Sequence, residues 1–326
     1  MDTTVRHPGT IVVGIDGSQM SERALDWAAE AARLEHRPLT LVHATGGVGA
    51  LATVWPGSVA YDQVTVLEAM RTDGQQLLDT AAERVATRFP EVVVLAELRS
   101  SDARQALLDA SRDASMVVVG SRGRGPVRSL LLGSVSVALS KHAECPVVVV
   151  RPHNPGTIRR GVLVGADGTS ASLPTLEFAY RQASIRGLPL TVIHCFWDAV
   201  SATTGSRTVA GNEPRLEELR LVVAESVSGF AEKFPDVHVN VELARGLADD
   251  ILGAASPGMD LIVVGRHHTN PLAAVVLGSV APTVVEHAEC VVAVVPAPDQ
   301  DLRHRVGTSA PDLVPVPEEN LRTRTT

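Results

Sequence analysis

Aromatic residues are scarce in this chain: three Trp, two Tyr and five Phe, 3% of 326 residues. Its core must therefore be aliphatic, and Ala and Val lead a hydrophobic fraction of 45%. Cysteine is almost absent; three residues without paired spacing exclude a disulfide framework and fit a reducing compartment. A basic face is missing too, since the formal net charge of −8 has the wrong sign for a nucleic-acid footprint. Residues 1–8 show no charged region leading into an apolar one, so no secretory signal is expected. The stretch Pro38–Tyr61 holds no Asp, Glu, Lys or Arg, but Gly46, Gly47, Gly49, Pro56 and Gly57 interrupt it. Those breaks do not suit a membrane helix; a buried strand followed by a long loop is expected. A cytoplasmic protein that binds neither nucleic acid nor membrane follows from these absences.

What is present is present twice. Ile11-Val-Val-Gly14-Ile-Asp16-Gly17-Ser18 recurs as Val162-Leu-Val-Gly165-Ala-Asp167-Gly168-Thr169, an offset of 151 residues. Leu39-Thr-Leu-Val-His43 recurs at the same offset as Leu190-Thr-Val-Ile-His194. Further along, Phe89-Pro90, Met116-Val-Val-Val-Gly120, Leu132-Gly133-Ser134-Val135 and His142-Ala-Glu-Cys145 recur 145 residues later, ending with His287-Ala-Glu-Cys290. The change of offset predicts a loop six residues longer in the first half, between about Ala44 and Phe89. The chain divides into domain 1 (1–151), a breaker-rich linker (152–160), domain 2 (161–296) and a Pro-rich polar tail (297–326) expected to be disordered.

Within each half, short Val/Ile/Leu runs alternate with helical stretches, which predicts an α/β fold with a parallel sheet buried on both faces. Strands are expected near 10–15, 39–44, 91–97, 116–120 and 146–151, and near 161–166, 189–195, 237–243, 260–265 and 291–296. First-half helices are expected near 20–35, 62–88, 101–112 and 134–142. In the first of these Ala24, Leu25, Ala28, Ala31 and Ala32 share one face. The two last strands, 146–150 and 291–295, are apolar and uncharged. Edges of that kind invite pairing, so the halves are expected to pair through them within one chain, and two chains to form a homodimer.

The segment Gly120-Ser-Arg122-Gly123 continuing to Gly133-Ser134-Val135-Ser136 reads G-x2-G-x9-G-S, directly behind an apolar strand. Glycines that admit close backbone approach, followed by a helix start with unpaired N–H groups, suit an anionic phosphate. Residues 121–136 contain no Asp or Glu, while Arg122 and Arg124 can screen charge. No Gly-Lys-Ser/Thr follows these glycines, which excludes a Walker A loop; the turn after the first strand lacks G-x-G-x-x-G, which excludes a dinucleotide fingerprint. A tight turn without ligand is the plain alternative. Asp16, at the carboxyl end of the first strand where ligands bind in open parallel sheets, favours a ligand.

Taken together, Val-Gly14-Ile-Asp16-Gly-Ser18, Leu-Val-His43 and the glycine loop ending in His-Ala-x-Cys-Pro-Val resemble the universal stress protein family, and the duplication resembles its tandem-domain members. The resemblance covers about 10–151 and 161–296. It implies two Rossmann-like domains, each a five-stranded parallel sheet with helices on both faces, ATP as ligand (with or without Mg2+), and pairing through the last strand. It places Gly14 and Asp16 near the nucleoside, Ala44 at the adenine, and Gly120, Gly123, Gly133, Ser134, Val135 and Ser136 around ribose and phosphates, with Arg122 beside them. The matching second-half positions are Gly165, Asp167, Cys195, Gly265, His268, Gly278, Ser279 and Val280. There the pattern is degraded: His268 replaces the second glycine, and Ala281-Pro282 follows Gly278-Ser279-Val280.

Other reactive side chains read as structural. His43 and His194 end apolar strands without a nucleophile beside them; His267, His268 and His287 lack zinc spacing; Cys145 and Cys290 precede last strands as packing residues. Three functions stay open: a nucleotide-dependent stress regulator with little or no catalysis, a slow ATP hydrolase or adenylate-transferring enzyme, and a ligand-free dimerisation module.

Overall fold

A computed structural model describes residues 8–46, 60–123, 132–152, 160–197, 216–266 and 280–297. The linker and tail expectations fall mostly outside these residues. The first half runs β1 (Ile11–Gly14), α1 (Gln19–Glu35), β2 (Leu39–Ala44), α2 (Ala60–Arg88), β3 (Val94–Arg99), α3 (Ala103–Ala110), β4 (Met116–Gly120), α4 (Ser134–His142), β5 (Val147–Val150). The second half repeats it as β6 (Val162–Gly165), α5 (Leu173–Arg186), β7 (Leu190–Phe196), α6 (Glu217–Lys233), β8 (Val239–Arg245), α7 (Ala248–Ala255), β9 (Leu261–Arg266), α8 (Val280–His287), β10 (Val291–Pro296).

The strands form one sheet of order β3-β2-β1-β4-β5-β10-β9-β6-β7-β8. Each half is parallel throughout, as the α/β reading requires. At the centre β5 and β10 run antiparallel, with Val147, Val148 and Val149 facing Val294, Ala293 and Val292. Alternation along the strands feeds two apolar layers. Ile11, Val13, Val148 and Val150 pack with α1, α2 and α5 on one face, and Val12, Val147, Val149 and Val292 pack with α3, α4, α7 and α8 on the other. The five residues expected on the inner face of α1 are all buried. Of the few aromatics, Tyr180 stacks on Phe230 and Phe234 at 5.1 and 5.8 Å, fixing α5 against α6.

Two expectations need correction. The extra residues of the first half are not simply loop, because α2 has 29 residues where α6 has 17. The third strand of each half begins two to three residues late, since Val92 and Val237 belong to turns closed by backbone bonds to Phe89 and Phe234 (3.0 and 3.2 Å). Apolar character there reflects packing beside the strand, and Val92 is 8% exposed.

Gly161, which leads into β6, is the one glycine of the frame that tolerates least. Its φ is +98°, and a Cβ would lie 2.3 Å from the Pro189 carbonyl oxygen. Gly161→Ala is expected to destabilise the protein by roughly 2–4 kcal/mol, combining left-handed strain with overpacking. Urea unfolding checks this; an unchanged midpoint contradicts it.

Candidate functional site

The turn after β1 is built by its own side chains. The Asp16 carboxylate accepts the Ser18 N–H at 2.9 Å, Gly17 takes φ +74°, and the Ser18 hydroxyl accepts the Ser21 N–H to cap α1. The second half repeats this: Asp167 accepts the Thr169 N–H and hydroxyl at 2.9 and 2.8 Å, with Gly168 at φ +78°. An Asx turn of this type fixes where the carboxylate stands before any ligand arrives. Asp16 is half-buried and Asp167 exposed.

The glycine loop reaches this carboxylate. A Cβ on Gly123 would lie 2.3 Å from Asp16 Oδ2, so the loop lies against this carboxylate in its present position because 123 carries no side chain. Gly120 serves packing: its Cβ would lie 2.8 Å from the Met20 backbone, the first turn of α1. Gly14 and Gly165 likewise make room, at 3.1 and 3.3 Å, for Leu107 of α3 and Leu252 of α7. Ser121 and Gly133 close the loop, the Gly133 N–H donating to the Ser121 carbonyl at 2.8 Å.

Gly133 is the N-cap of α4 and offers no side-chain cap, whereas Ser18 and Asp102 cap α1 and α3. Among the described residues no N-cap side chain therefore occupies the first N–H groups of α4. Ser134 is exposed and Val135 half-buried. Ser136 turns inward: its hydroxyl is buried and donates to the Gly133 carbonyl at 3.0 Å, with the Ser121 carbonyl at 3.3 Å. It therefore shapes the loop, where the sequence suggested a donor facing the ligand. Arg122 is exposed. Burial, and then the charge of Arg122, hold Arg151 below the ordinary guanidinium range. Arg124 lies outside the described residues.

On the other side of Asp16 a cavity of about 700 Å3 opens at the ends of β1 and β2, walled by Asp16, Ser21, His43, Ala44 and Thr45 and by α2. Sequence reasoning missed the α2 wall. Its signal was Gly74 in mid-helix, where a Cβ would stand 2.8 Å from both His43 Cδ2 and Leu98 Cδ1. A helical glycine costs about 1 kcal/mol against alanine, so its position marks something large pressed against the helix.

That neighbour, half-buried and lining the cavity, is held by the backbone. His43 Nδ1 lies 2.7 Å from the Ile15 carbonyl, and His194 Nδ1 lies 2.9 Å from the Ala166 carbonyl. Carbonyls only accept, so each Nδ1 carries a hydrogen and donates. His43→Leu removes that donor and is expected to cost about 1–3 kcal/mol, measured by chemical denaturation; equal stability would contradict the clamp.

In the second half Cys195 stands where Ala44 does, half-buried, its thiol pushed up to about 11 by burial and then by Asp249. Cys145 is buried and pushed up to about 12, and Cys290 is buried. Gly265 pairs with Val295, and Val280 opens α8. His267, His268, Gly278 and Ser279 lie outside the described residues. No helix among the described residues is long and apolar enough to cross a membrane.

The sequence model of the universal stress protein family matches residues 8–151 and 159–296. A universal stress protein of Mycolicibacterium smegmatis is 34% identical over 290 residues, covering 87% of this chain and 96% of its own. One of Mycobacterium tuberculosis is 33% identical over 290 residues, covering 85% and 93%. The crystal structure of a universal stress protein from Archaeoglobus fulgidus shares the fold at TM-score 0.64 and 18% identity, covering 89% of this chain and 97% of that one. Two family matches, one on each copy of the Asp turn, and relatives that extend over both halves lead to one conclusion: the chain belongs to the universal stress protein family.

Proposed function

We propose that the first half binds ATP across the β1/β4 switch point, and that occupancy, with little or no turnover, sets the protein's conformation or choice of partner in a cytoplasmic stress response. The observation that carries this reading is the uncapped start of α4 beside the Gly123–Asp16 junction, in a loop free of acidic residues. An unpaired helix N-terminus attracts phosphate through its N–H groups and its dipole. In this reading Ser134 and Val135 present those groups and Arg122 screens the charge. Asp16 accepts from the ribose hydroxyls, and the Ala44 end of the cavity takes the base. A cavity of about 700 Å3 falls within the size of ordinary small-molecule sites.

Turnover needs a base or metal-holding carboxylates at the phosphates. Among the described residues Glu22 and Asp73 line the cavity with Asp16, whose Oδ1 is already engaged by the Ser18 N–H. That arrangement suits retention of ATP better than hydrolysis. ATP recovered from purified protein supports this reading, and ADP or AMP as the main released nucleotide overturns it.

Gly133→Glu is expected to weaken ATP binding at least tenfold, about 1.4 kcal/mol, by placing a carboxylate at the helix start. A Cβ at 133 stays 3.4 Å or more from its neighbours, so Gly133→Ala is the control that keeps the fold. Calorimetry that finds Gly133→Glu as tight as the unmodified protein removes the α4 assignment. In the second half, an imidazole at position 268 where the first half has Gly123 is expected to lower affinity about five- to a hundredfold. The stoichiometry should therefore be about one tight ATP per chain, becoming two in His268→Gly; two equal sites in the unmodified protein contradict that inequality.

The β5–β10 ladder is taken as the pairing surface of the two halves in solution, with a homodimer built on the same chain. An unpaired row of valines at either strand would be an open template for association.

A further inference from the structure

Helices α1 and α5 straddle the β5–β10 seam on one face, and a polar chain crosses between them. Glu35, the last residue of α1, has a side chain only 5% exposed and accepts the Gln182 amide at 2.9 Å while Arg37 stands 3.4 Å from its other oxygen. Gln182, fully buried, in turn accepts from Arg186 Nε at 3.1 Å. The Arg186 guanidinium lies over the Trp27 ring, 4.6 Å from its centroid, and feels the charges of Glu30 and Glu35.

The duplication makes these contacts informative. The left-handed residues that end the two helices, His36 and Gly187, are 151 apart, as the motifs are. By that offset Glu35 corresponds to Arg186, Glu30 to Arg181 and Ala31 to Gln182. Positions equivalent in the repeat carry opposite charge. A seam between two first halves would bury Glu35 against Glu35 and offer Ala31 in place of the Gln182 amide. A seam between two second halves would bury Arg186 against Arg186. Bringing a second buried charge of the same sign to that position, where each Glu35 keeps its own Arg37 but loses the Gln182 amide, is costly.

The opposite face is also tied across the seam. Arg266 donates to the Ala143 carbonyl at 2.6 Å and to the Ser140 carbonyl at 3.4 Å, at the end of α4; Arg151 donates to the Val285 carbonyl at the end of α8. Ser140 and Val285 are equivalent by the 145 offset, yet the arginines are not: Arg266 corresponds to Ser121 and Arg151 to Pro296. A seam of two like halves would carry two copies of one arginine instead of one of each, so these bonds tie the halves together while the choice of partner rests on Glu35 and Arg186.

We infer that the seam is a directional interface: a first-half face fits a second-half face and rejects a second copy of itself. Chains that associate through this surface must do so by exchange, first half to second half. The inference rests on the pairing of β5 with β10.

Amide hydrogen exchange over residues 147–150 and 291–296 of the full-length protein tests it, with light scattering to follow assembly. Glu35→Arg and Arg186→Glu should each raise exchange in both strands at least tenfold. The double variant, which restores opposite charges, should return it to within threefold of the unmodified chain. A single variant that does not fold while the double variant does supports the same rule. Unchanged exchange in the single variants, or a double variant no better than the worse single, overturns the directional rule while leaving the ladder itself standing. Fast exchange of both strands in the unmodified protein instead removes the pairing, and the rule with it.

Discussion

The antiparallel contact of β5 with β10 is the constraint on which the remaining architecture depends. Val147–Val150 and Val291–Val295 carry no charge, proline or bulge that would blunt a sheet edge, and such an edge has to be covered. Covering one with the other makes ten strands continuous, and it also sets polarity. All strands of one half point opposite to those of the other, so the two Asp turns stand at opposite ends of the sheet. Two candidate sites in one chain therefore cannot share one ligand, and influence between them has to pass through the sheet and the seam helices.

The second consequence concerns how a glycine motif is read. Of the glycines that mark the first-half site, Gly14 and Gly120 are explained by helices α3 and α1 pressing on strand ends, with no ligand required. Gly123 and Gly133 are different: one admits a carboxylate, and the other leaves a helix start uncapped. Packing alone accounts for two of these four glycines, and the proposed ligand would draw on the other two. Ser136 makes the same point, since its hydroxyl is used to close the loop.

Much of the fold was legible in the sequence because valine runs buried on both sides have little other use, and because the repeat let each half check the other. The third strands were misplaced where Val92 and Val237 turn beside the sheet, which periodicity alone cannot separate from strand. The cavity wall on α2 was not legible from the loops that carry the motif. Only Gly74, a helix-weakening residue in a long helix, pointed to it, and its meaning depends on His43, 31 positions earlier in sequence. Charge complementarity at the seam was invisible until the halves were placed face to face, since Glu35 and Arg186 each read as an ordinary polar helix end.

Placing both halves in one chain is what permits their divergence. A pair of identical subunits cannot put Glu at one position and Arg at its equivalent, because every substitution appears on both sides of the axis. A tandem chain can, and here the change reaches the loop that follows the fourth strand of each half. The residue after the fourth strand's glycine, Gly120 or Gly265, is Ser121, small and buried, in the first half. In the second it is Arg266, which crosses the seam to the end of α4. In sequence, His268, where the second-half motif departs from the first, follows two positions later. An arginine committed to holding the other half thus stands two positions before His268, so seam specialisation and the departure from the glycine pattern fall in one short stretch of sequence.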